Sequence, residues 1–103
     1  MTNNDLFEPF RDHTERNYCK NTCNGRISAI KCHFLPICGE KEVNLTTTAD
    51  INTVYDSMEA EGYAQNTIYG VSSALMSYFR YAIDNGVASY SPVRDARKIP
   101  QGV

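Results

Sequence analysis

The chain has 103 residues and a mass of 11.6 kDa, which predicts a single domain with a modest apolar core. Its net charge of −2 and pI of about 5.6 exclude nucleic-acid binding by bulk electrostatics, so any such function requires a local patch of positive charge. The sequence shows no apolar run of membrane-spanning length and no charged-then-apolar leader, which predicts a cytoplasmic protein without a membrane segment.

The first helix is predicted from the segment Asp5–Glu8, which has the spacing of a capping box. Its inward-facing stripe comprises Leu6, Phe7 and Phe10. Pro9 is tolerated only in a first turn, so this helix either begins at Pro9 or lacks one hydrogen bond there. We expect the helix to end near Asn17.

A second helix follows, with Asn21 or Thr22 as its predicted N-cap. Its inward-facing residues are predicted to be Ile27, Ile30 and Phe34. Leu35 and Pro36 are predicted to end it, because the residue before a proline is disfavoured in the α region. Residues 37–44 then form a short loop around Gly39.

The four cysteines are Cys19, Cys23, Cys32 and Cys38. Structural zinc sites favour two closely spaced cysteine pairs, whereas here one such pair is followed by two unevenly spaced single residues. In a cytoplasmic chain the default is a free thiol packed as a small hydrophobe. We therefore expect neither a metal nor another cofactor.

A third helix is predicted to start at Thr47, because Asp50 three positions later completes a capping box. Its buried side comprises Ile51, Val54, Tyr55 and Met58. Gly62 closes it.

The longest predicted helix spans residues 65–86 and has apolar side chains at steps of three and four residues. These are Ile68, Val71, Leu75, Phe79, Ala82 and Ile83. Gly86 supplies the left-handed residue of a Schellman motif, and Val87 can fold back onto the last turn. The start is less well specified, since Ala64 is a poor N-cap and Asn66 or Thr67 would cap only a shorter helix.

The opposite face of this helix is polar but nearly uncharged. It comprises Asn66, Tyr69, Gly70, Ser73, Ser77 and Arg80. Solvent-facing helices usually carry Lys and Glu in i,i+4 pairs, whereas amides, hydroxyls and an Arg suit contact with phosphates and base edges. An ordinary serine-rich exposed face is the alternative interpretation.

Residues 91–93 mark a turn, and the polar, partly basic segment 94–103 shows no periodicity and is predicted to be an interdomain linker. Four amphipathic helices joined by short connections predict an all-α bundle over residues 1–93.

Several short motifs occur along the chain in a definite order. They are Lys20-Asn21-Thr22, FLPICG at 34–39, LTTTADI at 45–51, Gly62, Asn66-Thr67-Ile68, FRYAIDNG at 79–86 and Ser91-Pro92-Val93. Together, over residues 5–95, they resemble the core-binding domain of phage-type tyrosine recombinases (integrases). The resemblance implies a SAM-like orthogonal four-helix bundle.

The resemblance also implies a partner, the double-stranded DNA of a recombination site, with the starts of the second and fourth helices facing the duplex. Carried over to this sequence, the DNA-facing residues are Lys20, Asn21, Thr22, Arg26, Gln65, Asn66, Thr67, Tyr69 and Ser73. Lys20 and Arg26 would contact phosphates, and Asn66 or Gln65 would pair with adenine. Arg94, Arg97 and Lys98 would follow the DNA backbone from the linker. Arg80 is ambiguous, because it can instead pair with Asp84.

In that family the nucleophilic tyrosine and its arginines belong to a separate catalytic domain, which would follow Val103. We therefore expect a non-enzymatic, monomeric fragment from the cytoplasm of a bacterial host, whose partners include its own catalytic domain and other recombinase protomers. The sequence His13-Thr14-Glu15-Arg16 spells the family's his-x-x-arg box, but it lies in the first helix with no catalytic arginine ahead of it. We interpret it as coincidence.

Two other function classes remain open. The acidic pI favours a helical protein-interaction module, which would use an exposed apolar patch. A small enzyme is disfavoured, because the sequence offers no paired carboxylates in a plausible site, no glycine-rich phosphate loop and no credible triad.

Overall fold

A computed structural model describes residues 1–96, with the exception of the side chain of Thr22. The helices are α1 (Asn3–Asn17), α2 (Lys20–Ala29), a π-helical stretch (Ile30–Phe34) that leads directly into α3 (Leu35–Cys38), a 3-10 turn (Val43–Leu45), α4 (Thr48–Ala60) and α5 (Gln65–Asp84). The all-α prediction is confirmed, since residues 1–96 form four main helical segments and no strand, with a single antiparallel bridge between Thr2 and Glu42. Within the same residues no helix combines the length and apolarity needed to cross a bilayer.

The N-terminus of α1 differs from the prediction. Its capping box is Thr2 with Asp5, in which the Asp5 amide donates to Thr2 Oγ1 at 3.2 Å and the Thr2 amide donates to Asp5 Oδ2 at 3.1 Å. The predicted box at Asp5–Glu8 is therefore wrong, and so is a start at Pro9. Pro9 lies inside the helix and forgoes one backbone hydrogen bond, as the other alternative expected.

The second helical segment begins earlier and ends later than predicted. Cys19 is its N-cap and makes no side-chain capping bond, so the predicted caps Asn21 and Thr22 are wrong. Pro36 does not end the segment, because the wider π-helical turns ahead of it place the proline in the first turn of α3. Helical backbone consequently continues to Cys38, inside the predicted loop.

The ends of α4 and α5 follow one pattern, and the predicted stop of α5 is confirmed. Gly86 has a φ of +73°, and the Val87 amide donates to the Ala82 carbonyl at 2.8 Å. Gly62, with a φ of +85°, ends α4 in the same way. At its other end α5 starts at Gln65, after the uncapped Ala64, and not at a shorter helix capped by Asn66 or Thr67.

The core is assembled around α5. All predicted inward residues of α1 and α4 are buried, as are Ile30, Phe34 and five of the six on α5. Ile83 is the exception at 38% exposed, and Ile27 is only partly buried. Tyr78, which the apolar pattern omits, is fully buried and meets Phe10 and Phe34 edge-on at centroid distances of 5.2 and 5.4 Å.

A fully buried amide, Asn3, joins three separate parts of the chain. Its Nδ2 donates to the Cys38 carbonyl at 2.8 Å and to Thr46 Oγ1 at 3.0 Å, and its Oδ1 accepts from the Tyr78 hydroxyl at 2.8 Å. Burial raises the pKa of Tyr78 well above its usual range, so this hydroxyl stays protonated and donates. The start of α1, the loop before α4 and the middle of α5 are thereby held together.

The C-terminal turn packs onto the same domain. Thr48 Oγ1 donates to the Pro92 carbonyl at 3.0 Å, and Val93 and Ala96 are both buried. Packing therefore extends past the predicted boundary at Val93, to Ala96. Arg97 and Lys98 lie outside the described residues.

We expect Asn3→Ala to lower the free energy of unfolding by about 2–4 kcal/mol, because it removes three buried side-chain hydrogen bonds at once. Urea denaturation measures the change. Asn66→Ala, which alters an exposed amide, is the matched control and should stay within about 0.5 kcal/mol of the parent protein. A loss below about 1 kcal/mol for Asn3→Ala would contradict this role.

The predicted capping box of α4 is confirmed, and it includes an ion pair. Asp50 Oδ2 accepts from the Thr47 amide at 2.9 Å, and Lys41 Nζ donates to Asp50 Oδ1 at 2.5 Å. Burial raises the pKa of Asp50, but the hydrogen bonds from Lys41 and Thr47 outweigh burial, and the pKa of this carboxyl lies below its ordinary value.

Because the folded-state pKa of Asp50 is lowered, its contribution to stability is present above the unfolded pKa of about 3.9 and is lost as pH falls through the folded value. We expect Asp50→Asn to cost about 0.5–1 kcal/mol at pH 7 and progressively less below pH 4. Thermal denaturation between pH 3 and pH 7, with the exposed Glu40→Gln as control, measures this. An offset for Asp50→Asn that is constant over the whole pH range would refute the linkage.

Candidate nucleic-acid interface

The DNA-facing residues predicted from the sequence lie on two helices that pack against each other, α2 and α5. Arg26 of α2 contacts Ser77 in the second half of α5, whereas His33, after α2, meets Tyr63, just before α5, at a centroid distance of 4.9 Å. The two helices therefore run in opposite directions.

Most of these residues are accessible. The exposed ones are Lys20 and Asn21 on α2, and Gln65, Asn66, Thr67, Tyr69 and Ser73 on α5. Arg26 is half-buried, and the side chain of Thr22 is not described. The structure thus presents seven of the nine to solvent.

A groove of about 380 Å³ runs between the two helices and brings together three of the predicted residues, Asn21, Arg26 and Thr67. We call it the α2–α5 groove. Gly25 and Gly70 both line it, and a Cβ added at either would meet no atom within 4 Å. Neither glycine is therefore required for helix packing. Their absent side chains leave the groove wider and allow a ligand to approach the backbone.

Arg26 has an intramolecular role that the sequence did not predict. Its guanidinium donates a hydrogen bond to Ser77 Oγ and lies over the Tyr18 ring, 4.6 Å from the centroid. Ser77, predicted on the open polar face, is accordingly half-buried. Arg26 therefore links α2 to α5 at the end of the groove.

Charge is unevenly distributed along the chain. Residues 20–38 contain Lys20, Arg26 and Lys31 and no Asp or Glu, although the whole chain has a net charge of −2. Helix α4 has the opposite composition, with three carboxylates and no Lys or Arg. The helix that forms one wall of the groove is therefore locally cationic. The absence of Asp and Glu from residues 20–38 could have been recognised in the sequence, but the prediction considered only the net charge of the whole chain.

Arg80 adds a positive charge on α5 to those of residues 20–38. Within the described residues it forms no ion pair within 4.0 Å, including with Asp84 one turn later. The pairing that made its role ambiguous in the sequence is therefore absent from the structure. Its guanidinium is exposed on the same side of α5 as Asn66 and Ser73.

The cysteines and metal-ligand residues form no separate site. Cys23 and Cys38 are buried, as expected of small hydrophobes, whereas Cys19 and Cys32 are exposed. Burial raises the pKa of the Cys38 thiol to about 11, which keeps it protonated and unreactive at neutral pH. Among residues 1–96, no three His, Cys, Asp or Glu side chains are grouped as metal ligands.

Comparison with known proteins identifies no relative: no protein-family model matches the chain, and no curated protein or solved structure matches it significantly. Amides, hydroxyls and cations beside an open groove are groups that bind a polar, anionic ligand.

We expect Arg26→Ala to lower the free energy of unfolding by about 1–2 kcal/mol, because it removes both the bond to Ser77 and the stacking on Tyr18. Arg26→Lys should recover only part of this, since an ammonium lacks the planar guanidinium. Urea denaturation compares the variants, with the exposed Arg16→Ala as control. Equal stability of Arg26→Ala and the parent protein would exclude a structural role.

Proposed function

We propose that this chain is a DNA-binding domain that docks α2 and the N-terminal half of α5 onto duplex DNA. The observation that carries the proposal is the combination of an acid-free, cationic helical segment, residues 20–38, with an exposed and uncharged row of amide and hydroxyl groups on α5. Proteins bind DNA mainly through cations and neutral hydrogen-bond donors on phosphates, and they read sequence with amides on base edges.

Each group has a distinct part in this proposal. The exposed Lys20 and Lys31, both on the cationic segment 20–38, contact phosphates. Asn66, at the exposed start of α5, reads an adenine edge through its amide. Gly70 and Ser73 are small and accessible, which permits close approach of the duplex to the helix. Arg26 supports these contacts by fixing α2 relative to α5.

The finer assignment follows from the resemblance to the core-binding domain of tyrosine recombinases. We propose a SAM-like bundle that holds one side of attachment-site DNA, while the catalytic domain of a longer parent chain and neighbouring recombinase protomers engage the rest. Strand cleavage would belong to that catalytic domain. Arg94, which is exposed, would begin the linker contacts with the backbone. The setting is the cytoplasm of a bacterial host.

A second candidate function has one specific observation in its favour. Tyr69, Met76 and Ile83 are exposed on α5 at seven-residue intervals, so they form an apolar stripe beside the polar row. Such a stripe is typical of a helix that docks against a protein partner. A protein-interaction module would therefore use this stripe in preference to the groove.

We expect the isolated chain to bind mixed duplex DNA with a non-specific Kd in the range of about 10⁻⁴–10⁻⁶ M that weakens steeply with salt. Ser73→Glu should weaken binding severalfold at low salt, because it places a carboxylate against the phosphates. Lys20→Gln should reduce the salt slope by about one. Fluorescence anisotropy over a range of salt concentrations measures all three quantities.

The matched control is Thr53→Glu, which adds the same charge at an exposed position of α4, a helix that is not part of the proposed face. Thr53→Glu should have a DNA affinity much closer to that of the parent protein than Ser73→Glu has. If the folded chain shows no salt-sensitive binding, or if Ser73→Glu and Lys20→Gln both leave affinity and salt slope unchanged, the DNA-binding assignment is wrong. If Met76→Ala, which truncates the centre of the apolar stripe, then weakens binding of a protein partner, the interaction module is favoured.

A further inference from the structure

The α2–α5 groove has an aromatic ring and a cation among its lining residues. These are His33 and Arg26, which lie seven residues apart on one continuous helical segment, or roughly 10 Å along its axis. The groove volume of about 380 Å³ falls within the range of about 300–1,000 Å³ that is usual for small-molecule sites. A small ligand that combines a flat ring with an anion could therefore contact both groups.

Both groups are held in place by contacts inside the protein. The His33 ring meets the Tyr63 ring edge-on at 4.9 Å between centroids. The Arg26 guanidinium donates to Ser77 Oγ and lies over the Tyr18 ring. A site whose side chains are already ordered loses little conformational entropy when a ligand binds. The aromatic ring and the cation are therefore preorganised.

The rest of the groove wall carries little side-chain volume. Gly25 and Ala29 line it from α2, and Gly70 lines it from α5. A Cβ added at either glycine would meet no atom within 4 Å, so the space beside each is open. Glycine is unfavourable inside a helix, and neither of these glycines is needed for helix packing. A ligand that lies flat against the backbone of both helices would account for them.

Polar side chains at the groove suit a ring with hydrogen-bonding edges. Asn21 and Thr67 line the groove, are exposed, and form no side-chain hydrogen bond with the described residues. A side-chain amide pairs with the donors and acceptors at the edge of a nucleobase, and a hydroxyl can bond to either kind of group. A nucleobase therefore satisfies these two side chains, whereas a hydrocarbon ring would not.

The charge of both walls favours a ligand that carries an anion. Residues 20–38 contain no Asp or Glu, and neither do residues 65–83 of α5. The charged residues of these two segments are Lys20, Arg26, Lys31 and Arg80, all of them cationic. A surface of one sign attracts ligands of the opposite sign. A flat ring with polar edges and an attached phosphate is a nucleotide.

We propose that the α2–α5 groove binds a single unstacked nucleobase, with the phosphate of the same nucleotide turned toward Arg26. The base stacks on His33, and Asn21 and Thr67 bond to its polar edge. The nucleotide is either a free mononucleotide or one unit of a nucleic-acid strand whose base has left its stack, since both present the same ring and phosphate. The second source rests on the proposed function and extends it, because it adds an unpaired base to the duplex contacts.

The first experiment is an NMR titration of the ¹⁵N-labelled full chain with adenosine 5′-monophosphate at constant ionic strength. Ribose 5-phosphate, which has the same sugar and phosphate but no base, is the control ligand. We expect saturable shifts at the amides of Gly25, Ala29, Thr67 and Gly70 with the nucleotide, and no saturable shifts with ribose 5-phosphate. Shifts that fail to saturate, or that are the same for both ligands, would overturn the proposal.

Gly70→Leu fills the groove and should leave the fold intact, because an added Cβ meets no atom within 4 Å and leucine favours a helix more than glycine does. It should weaken nucleotide binding about tenfold, since it excludes the stacked base, and should not lower Tm. Ala60→Leu adds a bulky side chain at an exposed position of α4 and is the matched control, with unchanged affinity. Equal nucleotide affinities of these two variants would overturn the proposal.

The role of the His33 ring is tested by two substitutions. His33→Leu removes the ring and should weaken nucleotide binding about fivefold or more, whereas His33→Phe keeps an aromatic face and should retain most of the affinity. A His33→Leu variant that binds the nucleotide as tightly as His33→Phe does would contradict stacking on this residue and overturn the proposal.

A duplex with one extrahelical adenine, compared with the fully paired duplex by fluorescence anisotropy, separates the two sources of the base. If the parent protein prefers the extrahelical adenine and Gly70→Leu loses this preference, the base comes from a strand. If the parent protein shows no preference yet binds adenosine 5′-monophosphate, the ligand is a free mononucleotide. Nucleotide binding without any duplex binding would refute the proposed function and support the groove site. Salt-sensitive duplex binding, with neither nucleotide binding nor a preference for the extrahelical adenine, would refute the groove site and leave the proposed function standing.

Discussion

The buried amide of Asn3 is the contact on which the rest of the architecture depends. It is fully excluded from solvent, yet its oxygen and nitrogen are both hydrogen-bonded to separate parts of the chain. Burying an amide without hydrogen-bond partners costs free energy. Of the packing arrangements that an apolar core would tolerate, the buried amide therefore favours the one in which all its hydrogen bonds are made. The neighbouring backbone is equally constrained. The Asn4 amide donates to the Gly39 carbonyl at 2.8 Å, and a Cβ on Gly39 would lie 2.6 Å from the Leu35 carbonyl oxygen.

The rotation of α5 about its axis follows from this contact. Tyr78 is fixed by Asn3 on one side and by the rings of Phe10 and Phe34 on the others. With Tyr78 pointing inward, the row that contains Asn66 and Ser73 must point outward. The contact between Asn3 and Tyr78 therefore determines both the packing of the core and the surface of α5 that faces solvent. A substitution that rotated α5 would change which side chains the candidate interface exposes.

Much of the fold could be predicted from the sequence, because the apolar periodicity of α1, α4 and α5 agrees with what those helices bury. The glycine stops at Gly62 and Gly86 were also predictable, since a left-handed residue there needs no tertiary information. The two prolines had different outcomes. Pro9 lies inside α1 and forgoes one hydrogen bond, which was one of the two predicted alternatives, whereas a π-helical stretch accommodates Pro36, which was wrongly predicted to end its helix. The prediction did not include Tyr78 among the buried residues of α5, because a tyrosine can lie either in the core or at the surface. Its hydrogen-bond partner in the core, Asn3, is 75 residues away in sequence. For the same reason the hydrogen bond from Arg26 to Ser77 was not predicted, since it is visible only in the folded chain.

The separation of charge between helices bears on the rate of association as well as on affinity. Cations along residues 20–38 and carboxylates along α4 distribute the charge of this molecule unevenly, even though its net charge is only slightly negative. If the partner is a polyanion as proposed, its field would exert a torque on such a molecule before any contact and would turn the cationic helix toward the partner. Encounters would then occur preferentially in one orientation, and added salt would shorten the distance over which this alignment acts.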